Sequence, residues 1–255
     1  MKIDHVLLRV DNLENTMNDF KDLGFRVYPG NSKKNCHHAM IYFKDGSFLE
    51  LIDQSMFPRV FRFLARIKIL NLFGIIFKRF AHYCISKERF LDLAVLSDDI
   101  DSFHKLSEKK SKLIKMTRKN HLNQIVNWKL FAFDKMHLPF VMSEYKPNRF
   151  PENDAYIHKN GVLGIKQIDI DVKDSKAYIE EYNTYFKTKF LNIENFTIGN
   201  TTILLNNSKK YGLKSITLST NKTLIDIDNK LSHYGILLAE NINSKNVISE
   251  LITTP

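Results

Sequence analysis

The run from His37 to Ile52 constrains the fold more than any other part of this sequence. Two apolar-rich segments flank Lys44-Asp45-Gly46, and an Asp-Gly pair between such segments indicates the turn of a β-hairpin. Because side chains alternate along a strand, Phe48, Glu50 and Ile52 share one face of the second strand. A carboxylate there is costly to bury unless it is paired, hydrogen-bonded or bound to a metal. We therefore expect the fold to give Glu50 a cavity or a cation.

A strand–helix–three-strand unit recurs along the chain. Its copies begin at Lys2–Val10, Leu91–Leu96, Gly164–Val172 and, more weakly, Leu213–Thr220. In the three clearer copies the strand ends just before residues that can cap a helix, so His5, Asp92 and Gln167 occupy equivalent positions. Such repetition predicts an α+β fold, in which repeated βαβββ modules form curved mixed sheets around a trough with a helical insertion.

The spacing of the copies predicts two groups of modules. Residues 1–145 should form a pair of modules, interrupted by a helical insertion at about 55–86. Residues 160–255 should form a further module and a degenerate partial repeat, which includes a predicted strand at Val247–Ile252.

Composition narrows the function classes. The chain has 38 Lys and Arg against 28 Asp and Glu, a formal charge of +10, which fits either an anionic partner or a generally lysine-rich surface. Its two cysteines, Cys36 and Cys84, form no zinc-finger pattern, and no helix-turn-helix or RNA-binding motif is apparent, so we expect no nucleic-acid partner. The start of the sequence lacks the apolar stretch of a signal peptide, and we expect a cytoplasmic protein.

The insertion is both apolar and basic. Residues 56–86 contain six Lys and Arg and no acid, and Arg59, Arg62 and Arg66 fall on one helical stripe. A second helix is expected to begin at Asn71. The wide apolar arc could be covered by the protein's own trough, by a second subunit in a homodimer, or by a membrane surface. The first alternative is favoured, and such a lid would bring Arg62 and Arg66 to an anionic or oxygen-rich substrate.

Several motifs resemble those of glyoxalase-like proteins in the vicinal oxygen chelate superfamily, which also includes bleomycin resistance proteins and dioxygenases. They are Asp4-His5-Val6-Leu7-Leu8, His38–Phe43, Gly46–Ile52, Leu138-Pro139-Phe140-Val141 and His158–Gly161. The resemblance implies paired modules around a divalent metal (Zn, Ni, Fe or Mn), which holds two neighbouring substrate oxygens and acts as a Lewis acid.

The resemblance also assigns residues. His5 and Glu50 map onto the first module's metal ligands, and Glu50 is also a candidate catalytic proton carrier. In the second module the acidic ligand falls on Glu144 or is replaced by Ser143, depending on the register. His38, Asp92, Arg62 and Arg66 are the candidates for substrate binding.

Three functions remain open from the sequence. The first is a metal-dependent lyase, isomerase or dioxygenase that acts on a small molecule with vicinal oxygens. The second is a metal-free protein of the same fold that binds or sequesters a small molecule. The third is a peripheral membrane protein that uses the insertion.

Overall fold

The computed structural model of the protein describes residues 1–30, 36–107, 111–120, 122–147, 153–186, 194–222 and 225–239.

The first half of the chain builds one eight-stranded sheet. The first module comprises β1 (Lys2–Val10), α1 (Leu13–Asp22), β2 (Tyr28–Pro29), β3 (His38–Tyr42) and β4 (Phe48–Asp53). The insertion follows, with α2 (Arg59–Arg66), α3 (Ile75–Ile85) and 3-10 turns at Gln54–Met56 and Ile69–Phe73. The second module comprises β5 (Phe90–Leu96), α4 (Ile100–Leu106), β6 (Ile114–Lys119), β7 (Ile125–Phe131) and β8 (Phe140–Met142).

The second half builds a smaller sheet from the same kind of unit. It contains β9 (Val162–Val172), α5 (Ser175–Phe186), β10 (Asn195–Ile198), β11 (Thr201–Asn207), β12 (Gly212–Thr220), α6 (Ile225–Ser232) and β13 (Ile236–Leu238). The strand orders are β2-β3-β4-β1-β5-β8-β7-β6 and β10-β11-β9-β12-β13. The predicted α+β fold of repeated modules is confirmed, while the strand predicted at Val247–Ile252 lies outside the described residues.

The two modules of the first sheet are related by a pseudo-two-fold axis between β1 and β5, which pair antiparallel. Each first strand leads into a helix with a side-chain cap, since Asn12 accepts from the Asn15 N–H and Asp99 accepts from the Ser102 N–H. His5 precedes the cap Asn12 by the same number of residues as Asp92 precedes the cap Asp99, so Asp92 is the counterpart of His5, as predicted.

Alternation along the strands separates the core from the trough. Leu49 and Leu51 belong to the main core, which packs against the helices and reaches the second sheet, whereas Phe48, Glu50 and Ile52 face the other side. In β5 a register shift opposite Leu7 and Leu8 moves Leu91 to the trough side, although strict alternation predicts it in the core.

The insertion differs from its prediction in where the second helix starts. Helix α3 begins after Gly74 rather than at Asn71, because Gly74 has φ +97° and interrupts the helical path. The helix then packs along the trough side of the sheet. Among the described helices, none has the length and apolar character needed to span a membrane.

Candidate functional site

A cavity of about 180 Å³ lies between α3 and the trough side of the first sheet. Strands from both modules supply its floor, while α3 and Phe57, which follows the first 3-10 turn, supply its wall. Its lining is mainly apolar and aromatic, and comprises His5, Leu7, Phe48, Glu50, Ile52, Phe57, Ile76, Arg79, Phe80, Tyr83, Met116, Arg118, Trp128, Leu130, Phe140, Met142 and Tyr145. The fold therefore brings His5 and Glu50 into one hollow, as the alternation predicts.

His5 is held in one orientation at the floor of this cavity. Its Nδ1 lies 2.7 Å from Oδ2 of the fully buried Asp4, which also accepts from the Tyr145 hydroxyl at 3.0 Å. The imidazole stacks on Phe48 with ring centroids 4.6 Å apart. Its Nε2 is thereby turned toward Glu50, at 3.6 Å from Oε2. A carboxylate behind one ring nitrogen fixes which nitrogen faces the cavity, and this arrangement suits binding or proton transfer.

Asp92, the counterpart of His5, is occupied by a buried ion pair. Both of its carboxylate oxygens accept from Arg79 Nη1, and they also accept from the Leu93 N–H and the Tyr83 hydroxyl. Burial beside this carboxylate raises the pKa of Tyr83 well above 10, so the phenol stays protonated as the donor. Asp92, a predicted substrate-binding residue, does not line the cavity with His5, and it holds Arg79 in the wall of that cavity.

The counterpart of Glu50 is an aromatic residue. Leu7 pairs with Glu50 across β1 and β4, and its counterpart Ala94 pairs with Phe140 across β5 and β8. Phe140 packs edge-on against the His5 ring, with centroids 5.4 Å apart. Glu144, the predicted ligand, is exposed beyond the end of β8 and lines a different hollow, because the strand ends at Met142.

The donor set does not fit the metal that the resemblance implies. Protein sites for such metals use at least three His, Cys, Asp or Glu ligands. Nowhere in the described ranges do three such residues cluster closely enough to hold an ion. His5 and Glu50 supply two donors, while the second module offers Phe140 and an Asp92 whose oxygens are already hydrogen-bonded to Arg79, Tyr83 and Leu93.

Arg118 brings a positive charge to the opposite side of the cavity. Its Nη1 donates to His38 Nε2 at 3.2 Å, and its guanidinium lies over the Trp128 ring at 5.7 Å. Burial lowers the pKa of His38, which keeps its ring neutral as the acceptor. His38, a predicted substrate-binding residue, contacts Arg118 of the cavity wall but does not line the cavity itself.

The charges around the cavity are unevenly matched. Arg79 is neutralised by Asp92, whereas Arg118 has no carboxylate within 4 Å among the described residues. Arg118 Nε and Trp128 Nε1 are shielded from water, and neither has a hydrogen-bond partner in the part of the chain that the structure describes. The positive charge of Arg118 therefore favours an anion in the cavity that it lines.

The two arginines predicted to reach the substrate lie elsewhere. Arg62 and Arg66 are on α2, which packs against α3 on the side away from the cavity and contributes no lining residue. Arg79 and Arg118 take their place. Arg118 carries a sequence signal, because β6 alternates inward Ile114, Met116 and Arg118 with exposed side chains, and an inward arginine is as unusual as an inward glutamate.

A second hollow lies on the other side of α3, between the insertion, β5 and the start of β12. Its volume is about 310 Å³, and its wall includes Lys68, Lys78, His82, Asp92 and Tyr211. It is larger than the first cavity but contains neither His5 nor Glu50.

Comparison with known proteins identifies the architecture. The family model described as "Glyoxalase-like domain" matches residues 3–186. A hypothetical protein from Staphylococcus aureus has a similar crystal structure, with a TM-score of 0.66 and 14% identity, over 87% of this chain and 92% of that one. The Mn(II)-bound glyoxalase from Novosphingobium aromaticivorans has a TM-score of 0.50 and 9% identity, over 92% and 71%.

A third similar structure is a fusion of a xylose isomerase-like TIM barrel with a 4-hydroxyphenylpyruvate dioxygenase, with a TM-score of 0.51 and 10% identity, over 99% of this chain and 42% of that one. Sequence comparison with curated proteins finds no match. At these identities the structures share the fold with this chain, while its site must be argued from its own residues.

Proposed function

Since the chain belongs to the glyoxalase-like domain family of the vicinal oxygen chelate superfamily, we propose that its cavity binds a small, largely apolar carboxylate without a metal. The family fold places a hollow between the two modules of the first sheet, and in this chain that hollow is lined mainly by aromatic and aliphatic side chains.

The observation that carries the proposal is that Arg118 has no counter-charge among the described residues. Its guanidinium sits in an apolar cavity, and in the described part of the chain no carboxylate comes within 4 Å of it. Glu50 Oε2 lies near His5, and Asp92 is paired with Arg79, so neither carboxylate is paired with Arg118. A guanidinium matches a carboxylate in charge and shape, and the Trp128 ring beside it gives the ligand an apolar wall.

Metal chemistry is the alternative that the fold family suggests, since one structural neighbour is a Mn(II)-bound glyoxalase. The donors of this chain do not support its transfer here. Phe140 replaces the second acidic position, and Asp92 is hydrogen-bonded to Arg79 and Tyr83. We therefore assign no metal-dependent step to the protein.

Trp128 provides a direct test, because it is the chain's single tryptophan and lines the cavity. Cyclohexanecarboxylate should quench or shift its fluorescence on binding, and cyclohexylmethanol, which has the same ring but no charge, should bind at least about tenfold more weakly, as expected for one lost charged hydrogen bond. In Arg118→Met this preference for the carboxylate should disappear.

Lys115→Met is the matched control. Lys115 is exposed on the same strand and points away from the cavity, and its loss changes the net charge by the same amount. It should leave both affinities unchanged. The proposal fails if the alcohol binds as well as the carboxylate, or if Lys115→Met and Arg118→Met have the same effect.

Metal binding is tested separately by titrating the purified full chain with Mn²⁺ or Zn²⁺ in a calorimeter. We expect no stoichiometric uptake that depends on His5 and Glu50. One equivalent bound by the wild type and lost in Glu50→Gln would contradict the metal-free assignment and support a metalloenzyme.

A further inference from the structure

The insertion presents an exposed apolar surface outside the cavity. Six large side chains define what we call the insertion face: Val60, Phe63, Ile67, Leu72, Phe73 and Phe77. Leu72 is 82% exposed, Val60 68%, Phe73 64% and Phe63 58%. Nine of the 15 exposed large hydrophobic side chains in the described residues lie between residues 60 and 85. Scattered exposed apolar residues are ordinary, but such a concentration marks an interaction surface.

The face includes residues from each successive element of the insertion. On α2, Val60, Phe63 and Ile67 have the spacing of one helical stripe. The stripe is followed by the 3-10 turn with Leu72 and Phe73, and the Phe73 ring contacts Phe77 of α3 with centroids 5.7 Å apart. The exposed apolar side chains therefore lie on both short helices, of 8 and 11 residues, and on the turn between them.

Basic residues adjoin this face along the chain, and two of them, Lys68 and Lys78, also line the second hollow. Residues 54–87 contain no Asp or Glu, and Arg59, Arg66, Lys68 and Lys78 are all exposed. None of these four forms an ion pair with another described residue. An apolar surface with a basic border is complementary to an anionic lipid surface, where the apolar groups enter the interface and the cations meet headgroups. In a symmetric dimer the basic residues of one copy would lie against the same basic residues of the other copy and repel them.

We infer that the protein docks on anionic membranes through the insertion face, with α2 and α3 lying in the interface. This docking is independent of the ligand proposed above. Phe80, which is 38% exposed and part of the cavity wall, lies one helical turn after Phe77 of the insertion face. The partner is a lipid surface; a protein partner or a second copy would be a different result of the test.

Flotation of the full chain with vesicles tests the inference at physiological salt. The wild type should float with vesicles of equal parts phosphatidylcholine and phosphatidylglycerol, and not with phosphatidylcholine alone. The variant Leu72→Asp/Phe73→Asp should bind at least about tenfold more weakly, because it removes apolar insertion and adds like charge to the lipid. The control Leu106→Asp/Ile157→Asp alters two other exposed apolar residues and should float like the wild type.

A second pair of variants tests the charge border. Arg59→Glu/Lys68→Glu should lose most of the binding, whereas Lys166→Glu/Lys176→Glu, with the same change in net charge on the second half, should retain it. Circular dichroism should show that all four variants remain folded.

Three results would overturn the inference. The first is a wild type that does not float, and the second is equal loss in a variant and its control. The third is a wild-type dimer that Leu72→Asp/Phe73→Asp converts to a monomer with no flotation of either form, which would assign the face to a second copy of the chain.

Discussion

At the scale of single residues, the two modules of the first sheet carry different side chains at one pair of equivalent positions. Asp92 stands where the first module has His5, and its carboxylate holds the guanidinium of Arg79, which reaches the cavity from α3. Arg79 also donates to the Lys135 and Leu138 carbonyls, so the pair ties the insertion to the sheet. Both side chains are buried, at 2% and 7% exposure. Asp92 therefore positions a residue of the cavity wall.

Replacing Asp92 should accordingly be costly. Asp92→Ala leaves the guanidinium buried without its counter-charge, and we expect a loss of about 3–5 kcal/mol in the free energy of unfolding. Urea denaturation measures this loss. Asp101→Ala removes an exposed ion pair with Lys129 and should cost less than about 1 kcal/mol.

Removing both partners separates the charge from the packing. The double variant Asp92→Ala/Arg79→Met should recover part of the stability that Asp92→Ala loses, since no unpaired charge remains. A double variant no more stable than Asp92→Ala would mean that the ion pair does not account for the loss.

At the scale of elements, the segment from His158 to Gly161 ties the two sheets together. His158 Nδ1 accepts from the Arg26 N–H at 3.0 Å, and its Nε2 lies 2.8 Å from the Tyr42 carbonyl, to which it donates. Asn160 donates to the Leu23 carbonyl at 2.9 Å. The neutral imidazole satisfies both partners, whereas a protonated ring could no longer accept from Arg26.

This loop gives the fold a defined sensitivity to acid. Burial lowers the pKa of folded His158 from 6.5 to about 4, so between these values the unfolded chain binds the extra proton. Stability from this residue is complete above pH 6.5 and falls as the pH drops to 4, by up to about 3 kcal/mol.

Chemical denaturation at several pH values measures this dependence. His158→Gln should be less stable at neutral pH but should lack the His158 part of the decline. If the variant and the wild type lose stability in parallel between pH 6.5 and 4, other groups cause the decline.

The elements also show what could be predicted from the sequence. Alternation of period two is local, so the shared face of His5 and Glu50 followed from the strands alone. The register of β8 depends on its neighbour, which is why Glu144 was a candidate although Phe140 holds the equivalent position. Helical spacing defines stripes but not which stripe meets the sheet, so Arg62 and Arg66 were expected where Arg79 lies.

At the scale of the whole molecule, a symmetric pair of modules supports an asymmetric site. The first module contributes an imidazole and a carboxylate, and the second contributes Phe140, Arg118 and Trp128. Helix α3 of the insertion forms part of the cavity wall, and the insertion face lies outside the cavity. The glyoxalase-like architecture is thus retained, while the positions equivalent to His5 and Glu50 hold Asp92, which is paired with Arg79, and Phe140.

The most direct test of the metal-free carboxylate site is the indole N–H resonance of Trp128, which is a single signal because the chain has one tryptophan. Titration with cyclohexanecarboxylate, without added metal, should shift this proton signal as the ligand fills the cavity that the indole ring lines, and cyclohexylmethanol at the same concentration should move it far less. An indole signal that stays in place while the carboxylate binds, or that moves only after Mn²⁺ is added, would contradict the account.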